Sequence, residues 1–167
     1  MAIRFAALTA ALALASMAAP AAAQSYKADQ VKKSVNQADL LAIVGSLGHQ
    51  VREQGAQGEV FVVAQDGEGL NYFLIGTACD ANGVPGCQGI MMQVRYDLTG
   101  GTTLEALAKA NLGQAALNIW ADFSEQTLGF TRYQVLDHGV TMANIRENVV
   151  VMLDLVAESY PIAAGEE

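Results

Sequence analysis

An α+β fold, an antiparallel sheet flanked by helices, follows from three features of the sequence. Apolar residues recur at three- and four-residue spacing as far as Leu47, then at alternate positions from His49, so the period changes from helical to extended. The turns that follow are too short to carry parallel crossovers, which makes the sheet an antiparallel meander. Helical spacing returns twice, briefly after Thr103 and at length after Thr141. The predicted order is α-β-β-β-β-α-β-β-α.

The first helix is expected over Tyr26 to Gly48, because Val31, Val35, Leu40, Leu41, Val44 and Leu47 share one stripe. Ser34 or Asn36 can cap its main part, with Asp39 favouring the positive N-terminal end, and Gly48 is a natural stop. His49 to Gln54 reads as a short strand, followed by a turn at Gly55 to Gly58. Glu59 to Gln65 is β-branched and aromatic, as strands prefer. Asp66-Gly67-Glu68-Gly69 reverses the chain into Leu70 to Ala78, with Asn71, Phe73 and Ile75 on one side and Tyr72, Leu74 and Gly76 on the other. Cys79 to Cys87 turns again, and Gly89 to Tyr96 is the fourth strand. Thr102 or Thr103 opens a short helix, Leu104 to Ala110, with Leu104, Leu107 and Ala108 inward. Ala116 to Phe123 and Leu128 to Leu136 form a second strand pair around Ser124 to Thr127. Thr141 caps the last helix, whose inward positions are Ile145, Val149, Met152, Leu153 and Val156. Pro161 is expected just beyond its end, leaving 161–167 as a frayed tail.

Residues 1–23 have the layout of a cleavable secretory signal: Arg4, the apolar run Phe5 to Ala19, then Pro20 and Ala21-Ala22-Ala23 before Gln24. Cleavage near Ala23/Gln24 leaves one domain, 24–160, of ordinary size. Such a product is periplasmic or secreted. In that oxidising compartment the only two cysteines, Cys79 and Cys87, are most simply a disulfide, with Asn82-Gly83 and Pro85-Gly86 turning the chain between them. No later run is long and apolar enough to insert stably in a membrane. The net charge of −8, without a basic stripe, argues against nucleic acid and anionic lipid as partners.

No motif specifies a reaction, a metal or a cofactor. A zinc site would need ligands beyond the cysteines, and only His49 and His138 are available. Asp80, Asn82 and Gly83 start like a calcium loop, but the twelfth position is Met91, which cannot ligate calcium. Asp137-His138 is the one place for a general base, although neighbours on a strand point to opposite faces. Ser34, Ser46, Ser124 and Ser159 lack a nucleophile elbow, and the glycines make no phosphate-binding pattern. Met91, Met92, Met142 and Met152 are gap-filling core or, if exposed, adaptable binding residues. Of these, Met91 and Met92, with Trp120 and Phe123, are the candidates for a partner-binding surface.

With these elements in order, the chain resembles the YbjN family, candidate bacterial sensory transduction regulators, over roughly 39–155. The resemblance rests on Leu47-Gly48-His49 ending the first helix, Cys79 and Cys87 bracketing a hairpin, Asn111 after the short helix, and Leu136-Asp137-His138-Gly139-Val140-Thr141 entering the last. The family's Trp-Asn step is not matched: Ala110-Asn111 stands there and Trp120 comes later. The resemblance implies a fold similar to type III secretion chaperones, with a tendency to homodimerise, and brings no catalytic residues. The function expected is an exported, non-enzymatic module that binds a protein or peptide, with regulatory or chaperone-like character. The alternative is a small periplasmic hydrolase or ligand-binding enzyme using Asp137 and His138.

Overall fold

In the computed structural model, which describes residues 25–166, three helices pack on one face of a six-stranded antiparallel sheet. In chain order the elements are β1 (Val31–Lys32), α1 (Gln37–Ser46), β2 (Gln50–Gln54), β3 (Phe61–Gln65), β4 (Asn71–Cys79), β5 (Cys87–Asp97), α2 (Leu104–Gly113), β6 (Asn118–Asp122), β7 (Thr127–Val135), β8 (Val140–Thr141) and α3 (Met142–Ala164). The sheet runs β2-β3-β4-β5-β7-β6, and β1 pairs with β8 in a separate two-stranded ribbon. Leaving that ribbon aside, the element order is the expected one. The expected signal segment, 1–23, lies outside the described residues.

Strand alternation builds the core. Val62, Ala64, Tyr72, Leu74, Ile90, Met92, Val94, Ile119, Leu128 and Phe130 all point to the helical side and are buried. Leu40, Ile43 and Val44 of α1 meet them, as do Leu107 and Ala110 of α2 and Ile145, Val149, Met152 and Val156 of α3. The three- and four-residue steps along α3 place those side chains on one stripe.

The structure departs from the expected elements at three places. Residues 26–35 are not helical. Val31 and Lys32 pair with Thr141 and Val140, and the carbonyls of Gln30 and Ala28 accept the backbone N–H groups of Met142 and Ala143. The first turn of α3 thereby gains acceptors for N–H groups that its own helix cannot satisfy, so a long-range pairing overrides local periodicity. Helix α1 begins only after Asn36, which forms a reciprocal capping box with Asp39. In α2, Leu104 and Ala108 face solvent and Ala110 turns inward beside Leu107, because the stripe three residues apart that meets the core is Leu107–Ala110 and not Leu104–Ala108. Finally, α3 continues through Pro161 to Ala164. The Thr99 hydroxyl donates to the Ala164 carbonyl at 2.7 Å, and Ala163 and Ala164 are buried, which anchors the segment expected to fray.

Cys79 and Cys87 are cross-strand partners on β4 and β5 and are bonded to each other. Cys87 is fully buried, and its backbone also exchanges two hydrogen bonds with Val35, at 2.8 and 2.9 Å. One residue thus ties the hairpin to the segment entering α1. Replacing both cysteines with alanine is expected to lower stability by about 2.5 kcal/mol, the chain-entropy value for so short a loop. Urea unfolding of the oxidised protein and the variant measures it, and equal midpoints would refute it.

Candidate functional site

The second face of the sheet carries the candidate site. Register places Glu53, Val63, Phe73, Gln93, Thr131 and Asn118 in one row across all six strands. Beside it run the rows Phe61–Ile75–Met91–Tyr133 and Arg95–Gly129–Trp120. None of the described helices covers this face. Its large apolar residues are half-buried or exposed, with Tyr133 at 53% and Val135 at 57% of full exposure.

Glycines let the aromatic rings lie down on the sheet. A Cβ on Gly129 would fall within 2.7 Å of three Trp120 ring atoms, and one on Gly89 would meet the Tyr133 hydroxyl and ring. Each ring therefore fills the space of a missing side chain. The Tyr133 hydroxyl is further held by the Thr77 hydroxyl at 2.8 Å.

A polar chain links the rings. The indole Nε1 of Trp120 donates to Thr131 Oγ1 at 2.9 Å, and Gln93 Nε2 donates to the same oxygen at 3.0 Å. Gln93 Oε1 accepts from Arg95 Nε at 3.0 Å and Nη2 at 2.7 Å, and the guanidinium lies 5.0 Å from the centre of the Phe73 ring. Gln93 is only 6% exposed, so a buried amide fixes an exposed cation over an aromatic ring. Chemically, this face can present a flat apolar platform with one oriented positive charge.

The surface residues expected from sequence divide. Met91 and Trp120 are half-buried on this face, and Phe123 is 45% exposed in the β6–β7 turn at its border. Met92 is a correction: it is fully buried among the helices, because the residue after Met91 on a strand must point the other way. Met142 and Met152 are core. Phe73, Gln93, Arg95, Thr131 and Tyr133 escape the sequence reading. The signal available was parity, since Phe73 was already placed on the side opposite Tyr72. At the outer edge, the Asn111 side chain donates to the Ile119 carbonyl at 2.8 Å and accepts its N–H at 3.1 Å. It stands in for a neighbouring strand and closes the β6 edge.

Asp137 and His138 occupy an exposed turn between β7 and β8, with His138 Nε2 4.0 Å from Asp137 Oδ2 and its side chain 99% exposed. That separation is too long for a hydrogen bond, and both side chains stand in solvent, so the structure does not join Asp137 and His138 as a base and its orienting partner. The Asp80 carboxylate serves the turn itself, accepting the Gly86 N–H at 3.1 Å. Among the described residues no group of three or more His, Cys, Asp or Glu side chains could hold a metal ion, and no helix is long and apolar enough to cross a membrane.

A cavity of about 380 Å³ opens on the helical side, lined by Leu47, His49, Asp66, Glu68, Leu153 and Asp154 among others. His49 Nδ1 lies 2.9 Å from the hydroxyl of the fully buried Tyr72. Burial holds the His49 pKa below its ordinary 6.5, aided by Arg146 and opposed by Asp66. Burial likewise pushes the Tyr72 phenol well above its ordinary 10.0, with Asp66 adding to the effect. As pH falls, the unfolded chain therefore takes up the His49 proton before the folded one does. Stability is expected to be full above about pH 6.5 and to decline below it, and at the alkaline end to decline as pH passes about 10. Urea midpoints across this range, compared with His49→Gln, test the acid limb. An acid decline equally deep in the variant would assign it to other groups.

No family model and no curated protein matches the chain. Among solved structures, the fold is similar to YbjN from E. coli, a candidate transcription regulator, with TM-score 0.55 and 14% identity over 76% of this chain and 88% of that one. The HopA1–SchA chaperone–effector complex also aligns, with TM-score 0.49 and 8% identity over 70% of this chain and 86% of that one. At 14% identity, the likeness to YbjN is one of fold.

Proposed function

We propose that this chain is an exported, non-catalytic module that binds a protein partner on the open face of its sheet. The observation carrying this reading is the aromatic platform itself. Trp120 and Tyr133 are held in place by glycine contacts and side-chain hydrogen bonds, and Phe73 lies under the Arg95 guanidinium, yet their outer surfaces face solvent. Exposed aromatic clusters of this kind mark interaction surfaces in proteins, and rigid rings lose little entropy on binding. The Cys79–Cys87 bond and the leader-like composition of 1–23 support export.

A photo-crosslinking residue at Val135, on the open face, is expected to capture a protein in cells expressing the full chain. The same residue at Glu105, on α2, is expected to capture none. Trp120→Ala should abolish the Val135 crosslink while the variant remains folded. Equal capture at both positions, or a Val135 crosslink indifferent to Trp120→Ala, would refute the open face as the binding surface.

A further inference from the structure

Resting on the reading that the open sheet face binds a protein, we propose that its occupant is a short apolar peptide segment containing one Asp or Glu, whose carboxylate is received by Arg95. The case is one of charge complementarity. Arg95 is the single cation among the residues that register places on this face. Its two hydrogen bonds go to the neutral oxygen of Gln93, so they orient the guanidinium without neutralising it. Among the described residues it makes no ion pair. A planar guanidinium fixed in this way matches a carboxylate through its remaining N–H groups.

The surroundings limit what that carboxylate can belong to. Phe73 lies beneath the guanidinium, and Trp120 closes the same cross-strand row beyond Gly129. Apolar groups flanking the carboxylate would rest on these rings, and Arg, Trp and Tyr are the residue types that most often dominate binding energy. Asp97 and Asp122 sit two residues beyond Arg95 and Trp120 on the same face, and the chain carries a net charge of −8. A polyanion such as nucleic acid, or an anionic membrane, would be repelled by that field at every one of its charges, whereas a lone carboxylate among apolar side chains meets far less repulsion, which contact with Arg95 offsets.

Selection of a random phage-displayed peptide library against the full chain tests the proposal, with Arg95→Glu, Arg95→Gln, Arg95→Lys and Trp120→Ala in parallel. Circular dichroism and thermal melts check that each variant is folded; Arg95→Gln serves if the charge reversal does not fold. The wild type is expected to enrich Asp or Glu at one position between apolar residues. Synthetic copies with that residue changed to Asn or Gln should bind at least about tenfold more weakly. Arg95→Glu should lose these peptides and enrich Lys or Arg at the same position, Arg95→Gln should bind the acidic and amide copies alike, and Arg95→Lys should fall between. Peptides that need Trp120 but show no acidic preference, and bind Arg95→Glu equally well, would overturn this inference while leaving protein binding on this face intact. Absence of any peptide dependent on Trp120 or Arg95 would overturn both. Self-association lost in Arg95→Glu, with no peptide selected, would make the occupant a second copy of the chain and also overturn the proposal.

Discussion

Asp39→Ala is expected to lower the unfolding free energy by about 3 kcal/mol, near the lower end for breaking a buried ion pair. The Asp39 side chain is 3% exposed and does two things at once. One oxygen lies 2.7 Å from Lys32 Nζ, and the other accepts the Asn36 N–H at 3.0 Å, completing the cap of α1. Truncation removes the cap partner and leaves the Lys32 ammonium, itself only 15% exposed, without its counter-charge. Asp39→Asn keeps an acceptor for the Asn36 N–H and should cost distinctly less than the alanine variant. Urea unfolding separates the two. Because Lys32 belongs to β1, hydrogen exchange at Val31 and Lys32 should also accelerate in Asp39→Ala. Unchanged exchange there would show that the ion pair does not hold the ribbon to α1.

Gly129→Val is expected to reshape the open face more than any other single change. The new side chain would begin where the Trp120 ring now lies, its Cβ colliding with three atoms of the indole. The ring must lift, and the Trp120–Thr131 hydrogen bond at 2.9 Å breaks with it. Overpacking of this type costs about 1–3 kcal/mol, and Gly129 is itself buried between strands. Trp120 is the only tryptophan, so its emission reports the change directly. A shift to longer wavelength in the folded variant is expected, together with loss of any ligand that depends on Trp120. Emission identical to wild type would show that the indole does not rest on Gly129.

The two predictions draw on different kinds of information. Asn36 and Asp39 could be recognised as a capping pair from their three-residue spacing, although Ser34 was an equal candidate until the helix start was known. The role of Gly129 could not be anticipated in the same way. Its partner Trp120 is nine residues away in sequence and meets it only through the β6–β7 register. Nothing in the sequence local to Arg95 predicts a bond to Gln93 or a ring beneath it.

The amino-acid sequence alone determined the order of the six sheet strands and three helices, the turns between those strands, the cap of α3 at Thr141 and the pairing of Cys79 with Cys87. These are decided by short-range physics: apolar period, turn chemistry and the short, turn-rich spacing between the only two cysteines. Tertiary structure alone decided which side of the sheet the helices cover, and hence that Met92 is core while Met91 faces out. It also drew residues 26–35 out of helical form to pair with β8 and the start of α3, and anchored the chain beyond Pro161. A strand's alternation is symmetric between its two faces, and a short segment's propensity is worth less than a long-range pairing that satisfies exposed backbone groups. Only the packed arrangement of helices against the sheet breaks that symmetry.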